Sequence, residues 1–186
     1  MAEPALAELT GRDPEIIIHW RAFELRPEPV ELLDPQGDYL TSAWKNHVYP
    51  LAKKMGMPLK MPPIQPRSRL AHEAAKWAAT YERLDEFHLA IFRAFFESGL
   101  DIGNLEVLMK MAGDLDLDPV ALKRSLDNHE FTFQVVSDEE EAMNSGVRAV
   151  PAFVADGLVL AAGVQSADRL LELLVDGPGF RESPVI

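Results

Sequence analysis

Residues 145–157 read SGVRAVPAFVADG, from Ser145 to Gly157. The chain bends at Val150-Pro151 and then enters an apolar run, Ala152 to Ala155. Asp156-Gly157 follows, a pair suited to a two-residue hairpin turn. Leu158 to Ala162 is again apolar. Two short strands joined by a tight turn are therefore expected. Proline removes a backbone donor and takes the cis form at modest cost. A cis bond here would free the N–H and C=O of Val150 to pair with an extended peptide, which is strand addition in miniature. A trans proline opening an edge strand fits the same residues, and both readings stay open.

Outward from the hairpin, Ser166 is expected to cap a last helix through Val175, followed by a loose tail from Gly177 to Ile186. On the N-terminal side, Ser137 to Glu140 has the pattern of a capping box, so the acidic run at 138–141 is assigned to the positive end of a helix. That helix should end at Gly146. Asp118-Pro119 and Asn104 each mark a helix start. Leu70 to Ser98 reads as helix with a break near Leu84-Asp85, and its aromatic stripe reads as core. Leu40, Trp44, Val48 and Leu51 recur at helical spacing in a segment ended by Gly56.

Between these helices, Gly56 to Arg69 (GMPLKMPPIQPRSR) holds four prolines and is expected to be a stiff surface loop. Long loops of this kind often carry function, and a spacer between helices accounts for it equally. Near the start, Ala2 to Leu9 reads as a piece of helix stopped by Gly11 and Asp13-Pro14. Glu15 to Phe23 (EIIIHWRAF) reads as a largely buried strand because of its β-branched and aromatic residues. Strands at both ends and helices between them suggest an α/β or α+β sheet domain with a helical insertion.

The chain has 186 residues, 47% of them hydrophobic, enough for one domain with an insertion. A net charge of −12 argues against nucleic acid and anionic lipid as partners. No apolar run reaches membrane-spanning length, and the acidic start, MAEPALAELTGRD, is unlike a signal peptide. A cytoplasmic location is expected. There is no cysteine, so disulfides, thiolate metal sites and thiol catalysis by this chain are excluded. The five histidines form no metal-binding spacing, no phosphate loop or nucleophile elbow occurs, and no carboxylate pair stands out. No cofactor, metal or catalytic residue is expected.

Several stretches resemble the DsbA-like thioredoxin-fold family, in particular its FrnE-like dithiol oxidoreductase branch. They are WRAFELRP (Trp20 to Pro27), KMPPIQPRS (Lys60 to Ser68), FHLAIFRAFFESGLDIGN (Phe87 to Asn104), and GVRAVPAFVADG (Gly146 to Gly157) with AGVQ (Ala162 to Gln165). The resemblance covers about residues 5–175. It implies an α/β, thioredoxin-like fold with an inserted helical domain and a cis proline at Pro151. The expected divisions are 1–37 for the start of the thioredoxin-like domain, 38–130 for the insertion, 131–176 for the hairpin and last helix, and 177–186 for the tail.

The resemblance also exposes a departure. Family members begin with a strand and a C-x-x-C motif at the start of the first long helix. This chain begins inside that helix, at or near Ala5-Leu6, so the strand and the cysteine position are expected to lie before Met1. Without that central strand, the Glu15–Phe23 segment and the hairpin cannot pair in the usual order. A truncated start is the favoured explanation. A strand supplied by another chain, for example in a homodimer, or an inward shift of the Glu15 strand are the others.

The resemblance implies a thiol–disulfide oxidoreductase family protein acting on peptide or protein thiols, redox-inactive as given. A non-catalytic peptide-binding module is the alternative. A glutathione-dependent isomerase or transferase relative is a third, weakened by Val164 and Gln165 where those relatives carry a Ser-Asp pair. Val150 and Pro151 are the candidate substrate contacts. Pro66, Arg67 and Ser68 on the proline-rich loop are further candidates, Arg67 through a carboxylate.

Overall fold

In the computed structural model, which describes residues 1–176, Asp156 (φ 49°) and Gly157 (φ 76°) make the turn between β1 (Ala152–Ala155) and β2 (Leu158–Ala162). Positive φ at both central residues matches the twist of the flanking strands. The pair is antiparallel, with Ala152 opposite Ala162 and Ala155 opposite Leu158, and a bulge between Phe153 and Val154. These are the two strands of the one sheet among the described residues.

The described chain divides into two units. One joins Met1–Leu25 to the chain from Glu139 onward, and the other is Arg26–Asp138. In the first unit, α1 (Glu3–Arg12) packs on α9 (Ala167–Asp176) through Leu6, Leu9, Ala167 and Leu170. Ser166 Oγ accepts from the Arg169 N–H at 3.2 Å, capping α9 as its sequence predicts. Helix α1 runs past Gly11 and stops at Arg12, one residue before Asp13-Pro14.

The segment 15–23 departs from the strand its composition predicts. Glu15 lies in a turn, and residues 16–23 belong to no helix and no ladder. Their side chains nonetheless alternate. Ile16, Ile18 and Trp20 pack on the α1–α9 core, Ala22 is buried, and Ile17 is 73% exposed. Strand assignment requires a ladder of hydrogen bonds with a neighbour as well as a suitable side-chain pattern.

The second unit is helical. It contains α2 (Asp38–Ala43), α3 (Tyr49–Lys54), α4 (Arg69–Ala79), α5 (Leu84–Phe96), α6 (Leu105–Asp114), α7 (Pro119–Asp127) and the first half of α8 (Thr132–Asn144). Ala71, Ala74 and Ala78 give α4 a small-residue face. Phe87, Leu108, Ala112 and Leu122 of α5, α6 and α7 close on that core and are wholly buried. Asn104 and Asp118 cap α6 and α7, each accepting at 2.8 Å from the N–H two residues on. Between α2 and α3, Trp44–Val48 forms a π turn in which the Tyr49 N–H reaches the Trp44 carbonyl. Pro50 explains it: proline has no N–H for the Asn46 carbonyl and its ring crowds that carbonyl, so the helix widens.

Three helices end on a residue with positive φ that is not glycine: Glu82 (59°), Asp116 (57°) and His129 (56°). In each case the next N–H reaches back five residues. Arg83 bonds the Ala78 carbonyl, Leu117 that of Ala112, and Glu130 that of Ser125, satisfying otherwise orphaned acceptors. The positive φ of Glu82 sets the break between α4 and α5.

A second departure concerns Ser137 to Glu140. These residues lie inside α8, not at its start. Asp138 is 3% exposed and forms an ion pair with Lys76 of α4. A buried carboxylate needs such a partner, and this one comes from a distant part of the sequence.

Candidate functional site

The loop that leads into β1 is held from within. The Arg148 Nη1 donates to the carbonyls of Met143 (3.2 Å) and Val147 (3.0 Å), and Val147 is buried. Val150 is 43% exposed, and the Val150–Pro151 bond is cis. The Gly163 N–H donates to the Pro151 carbonyl at 2.8 Å, which turns that carbonyl toward β2. Antiparallel ladders alternate hydrogen-bonded and non-bonded pairs. Ala152 is therefore the non-bonded partner of Ala162, and its N–H and C=O face the other edge of β1. That edge pairs with nothing among the described residues. The main chain of Val150 likewise hydrogen-bonds to no described residue. Val150 and Ala152 together present a short open edge that starts at an exposed apolar side chain.

Gln165 follows β2. Its amide donates to the Ala162 carbonyl at 3.1 Å and the Gly163 carbonyl at 3.4 Å, so it braces the turn into α9. Electrostatics in this unit are dominated by carboxylates. Arg12 pairs with Glu8 and Asp168, and its hydrogen bond to Asp168 raises the guanidinium pKa further.

Pro66, Arg67 and Ser68 belong to the helical unit. The Arg67 Nη1 donates to the carbonyls of Arg26 (2.6 Å) and Val30 (2.7 Å), with Glu28 at 3.9 Å from Nε. Ser68 precedes α4 without capping it through its side chain. The same loop lies close to Gly103, where a Cβ would meet the Arg67 carbonyl oxygen at 2.8 Å. It is tied further by Lys60 N–H to the Phe96 carbonyl (2.7 Å) and Met61 N–H to Tyr49 Oη (3.2 Å). Sequence reasoning named these residues for their loop but gave no sign that Arg67 grips main-chain carbonyls.

Among the described residues, no three His, Cys, Asp or Glu side chains gather as a metal site, and no helix is long and apolar enough to cross a membrane.

A hairpin entered through a proline, backed by helices and joined to a helical unit, defines a mixed α/β domain of the thioredoxin-like class. The chain belongs to the family of DSBA-like thioredoxin domains, whose model matches residues 1–175. It is 32% identical over 166 residues to the uncharacterized protein YwbO of Bacillus subtilis, covering 83% of this chain and 80% of that protein. Among solved structures it is similar to a probable DsbA oxidoreductase from Streptomyces coelicolor. That match has a TM-score of 0.79 at 22% identity, over 99% of this chain and 84% of the other. It is also similar to a 2-hydroxychromene-2-carboxylate isomerase, with a TM-score of 0.74 at 19% identity, over 94% and 86% of the two chains.

Proposed function

We propose that this chain holds extended peptides, as a FrnE-like member of the thiol–disulfide oxidoreductase family that performs no exchange with its own 186 residues. The observation that carries the reading is the main chain of Val150, which precedes a cis proline, belongs to an exposed residue and hydrogen-bonds to no described residue, leaving its N–H and C=O to pair with an extended peptide. Dithiol exchange needs a thiolate, and the sequence has no cysteine to provide one. In this reading Val150 and Pro151 touch the ligand. Arg67, already committed to two carbonyls, shapes the proline-rich loop that carries Pro66 and Ser68, within an inserted helical domain spanning about residues 38–130.

The test uses a fluorescent extended peptide and a set of analogues N-methylated one residue at a time. Strand addition uses every second peptide N–H, so sensitivity to methylation should alternate along the peptide. An absence of binding, or binding indifferent to methylation, overturns the reading. A thiol count on the protein isolated from its natural source tests the redox part. No thiol leaves holding as the activity, and a reducible pair would make it an exchanger.

A further inference from the structure

Acidic and basic residues are sorted along the helical unit. All 30 Asp and Glu residues of the chain lie outside residues 39–72, a stretch that holds Lys45, Lys53, Lys54 and Lys60. The other three lysines each sit in an ion pair, Lys76 with Asp138, Lys110 with Asp114 and Lys123 with Asp127. Lys45, Lys53, Lys54 and Lys60 are exposed and have no carboxylate partner among the described residues. Three of these four surround one tyrosine. Tyr49 opens α3 and is 43% exposed, and buried Trp44 holds its ring edge-on at 5.4 Å. Lys45 and Lys53 lie four residues before and after it, one turn away on either side. Lys60 comes to the same place from the proline-rich loop, because the next N–H, that of Met61, donates to Tyr49 Oη at 3.2 Å. That bond uses an acceptor site of the hydroxyl and leaves its proton to donate outward. The last turn of α3 suits Lys53 and Lys54 through the helix dipole. The dipole accounts neither for Lys45 and Lys60 nor for the missing carboxylates. Glu97 follows Phe96, whose carbonyl accepts the Lys60 N–H, yet Glu97 forms no ion pair with that lysine.

We infer that this face of the helical unit docks an acidic segment of a partner protein, extended and with a carboxylate at every second residue. Lys45, Tyr49 and Lys53 follow one another at steps of about 6 Å along the helix axis. Side chains at i, i+2 and i+4 of an extended chain share one face at steps of about 6.6 Å. A Glu-x-Glu-x-Glu segment laid along the helix therefore sets its outer carboxylates at the two lysines. Its middle carboxylate meets the Tyr49 hydroxyl, with Lys60 beside it. Nucleic acid is the poorer occupant, because each strand carries a charge about every 3.4 Å. The −12 of the whole chain opposes such a polyanion more than it opposes a segment with three carboxylates. The inference is independent of the reading at Val150, which lies in the other unit.

A fluorescent Glu-Ser-Glu-Ser-Glu peptide and its counterpart with Gln for Glu test this by anisotropy. Both offer the same main chain to Val150, so a difference between them isolates the carboxylates. The Glu peptide should bind about tenfold more tightly at about 20 mM salt, with the advantage shrinking toward about 300 mM. Lys45→Gln, Lys53→Gln and Tyr49→Phe should each weaken the Glu peptide several-fold and leave the Gln peptide unaffected. Lys110→Gln and Lys123→Gln alter the net charge by the same amount at exposed, ion-paired lysines, and should leave both peptides unaffected. Equal losses from all four lysine variants would mean a diffuse field and overturn the site. Equal binding of the two peptides, or binding of neither, also overturns it. A short oligothymidylate that binds more tightly than the Glu peptide would overturn the choice of a protein partner.

Discussion

Lys76 of α4 and Asp138 of α8 form an ion pair in which the carboxylate is almost wholly removed from water. Lys76 is partly exposed and Asp138 is not, so removing the lysine leaves the carboxylate buried without this cation. Lys76→Met should therefore cost about 3–5 kcal/mol, whereas replacing both residues, as Lys76→Met with Asp138→Leu, should cost much less. Urea denaturation of the two single variants and the double variant checks this. Equal losses for Lys76→Met and for the double variant would contradict it.

His88 lies in α5 with its ring 4.4 Å from that of Phe92. Burial, and secondarily the charge of His72, lower its pKa to about 4 from the usual 6.5. The folded protein thus resists a proton that the unfolded chain accepts. The stabilising effect is complete above about pH 6.5 and is lost as pH falls toward 4, amounting to roughly 3 kcal/mol at most. Thermal unfolding between pH 7 and pH 4.5 should show a steeper decline in the parent protein than in His88→Phe. Parallel declines would remove His88 as the cause.

Glu82 closes α4 in the left-handed region, where a Cβ crowds the backbone and glycine does not. Glu82→Gly should raise stability by about 1 kcal/mol, read as a higher urea midpoint at unchanged slope. A loss of stability would show that other contacts of Glu82 outweigh the conformational strain.

Gly103 approaches the proline-rich loop so closely that an added methyl would sit 2.8 Å from the Arg67 carbonyl oxygen. Gly103→Ala should cost about 1–3 kcal/mol and displace residues 66–68. Chemical-shift changes concentrated at Arg67 and Ser68 are the expected signature, and an unperturbed loop would refute it.

The hairpin and the caps were legible because their causes are local. Asp156-Gly157 selects its turn by backbone preference, and Asn104, Asp118 and Ser166 each bond an N–H two or three residues away. Ser137 to Glu140 misled for the complementary reason. Their pattern suits a helix start, yet α8 begins earlier, after the left-handed turn at His129. The burial of Asp138 depends on Lys76, a residue in another helix. Glu15 to Phe23 has the side chains of a strand, but strand pairing is a property of two segments and its own residues encode one. At the site, the Val150-Pro151 junction was visible in the sequence. The open direction of Ala152 was not, because it follows from the register of β1 against β2.

Exposed apolar side chains are also a hazard, because they can seed association between copies. In this protein Val150, Val154 and Leu158 of the hairpin region are such side chains. Residues 1–25 and 139–176 hold twelve Asp and Glu against four Arg, a net −8, and that charge has a colloidal role: it keeps copies apart in dilute solution. Acidification that neutralises carboxylates, below about pH 4.5, would withdraw that protection while leaving the apolar side chains exposed. Light scattering during an acid titration should therefore rise through that range, and added salt should shift the onset toward neutral pH by screening the same charges.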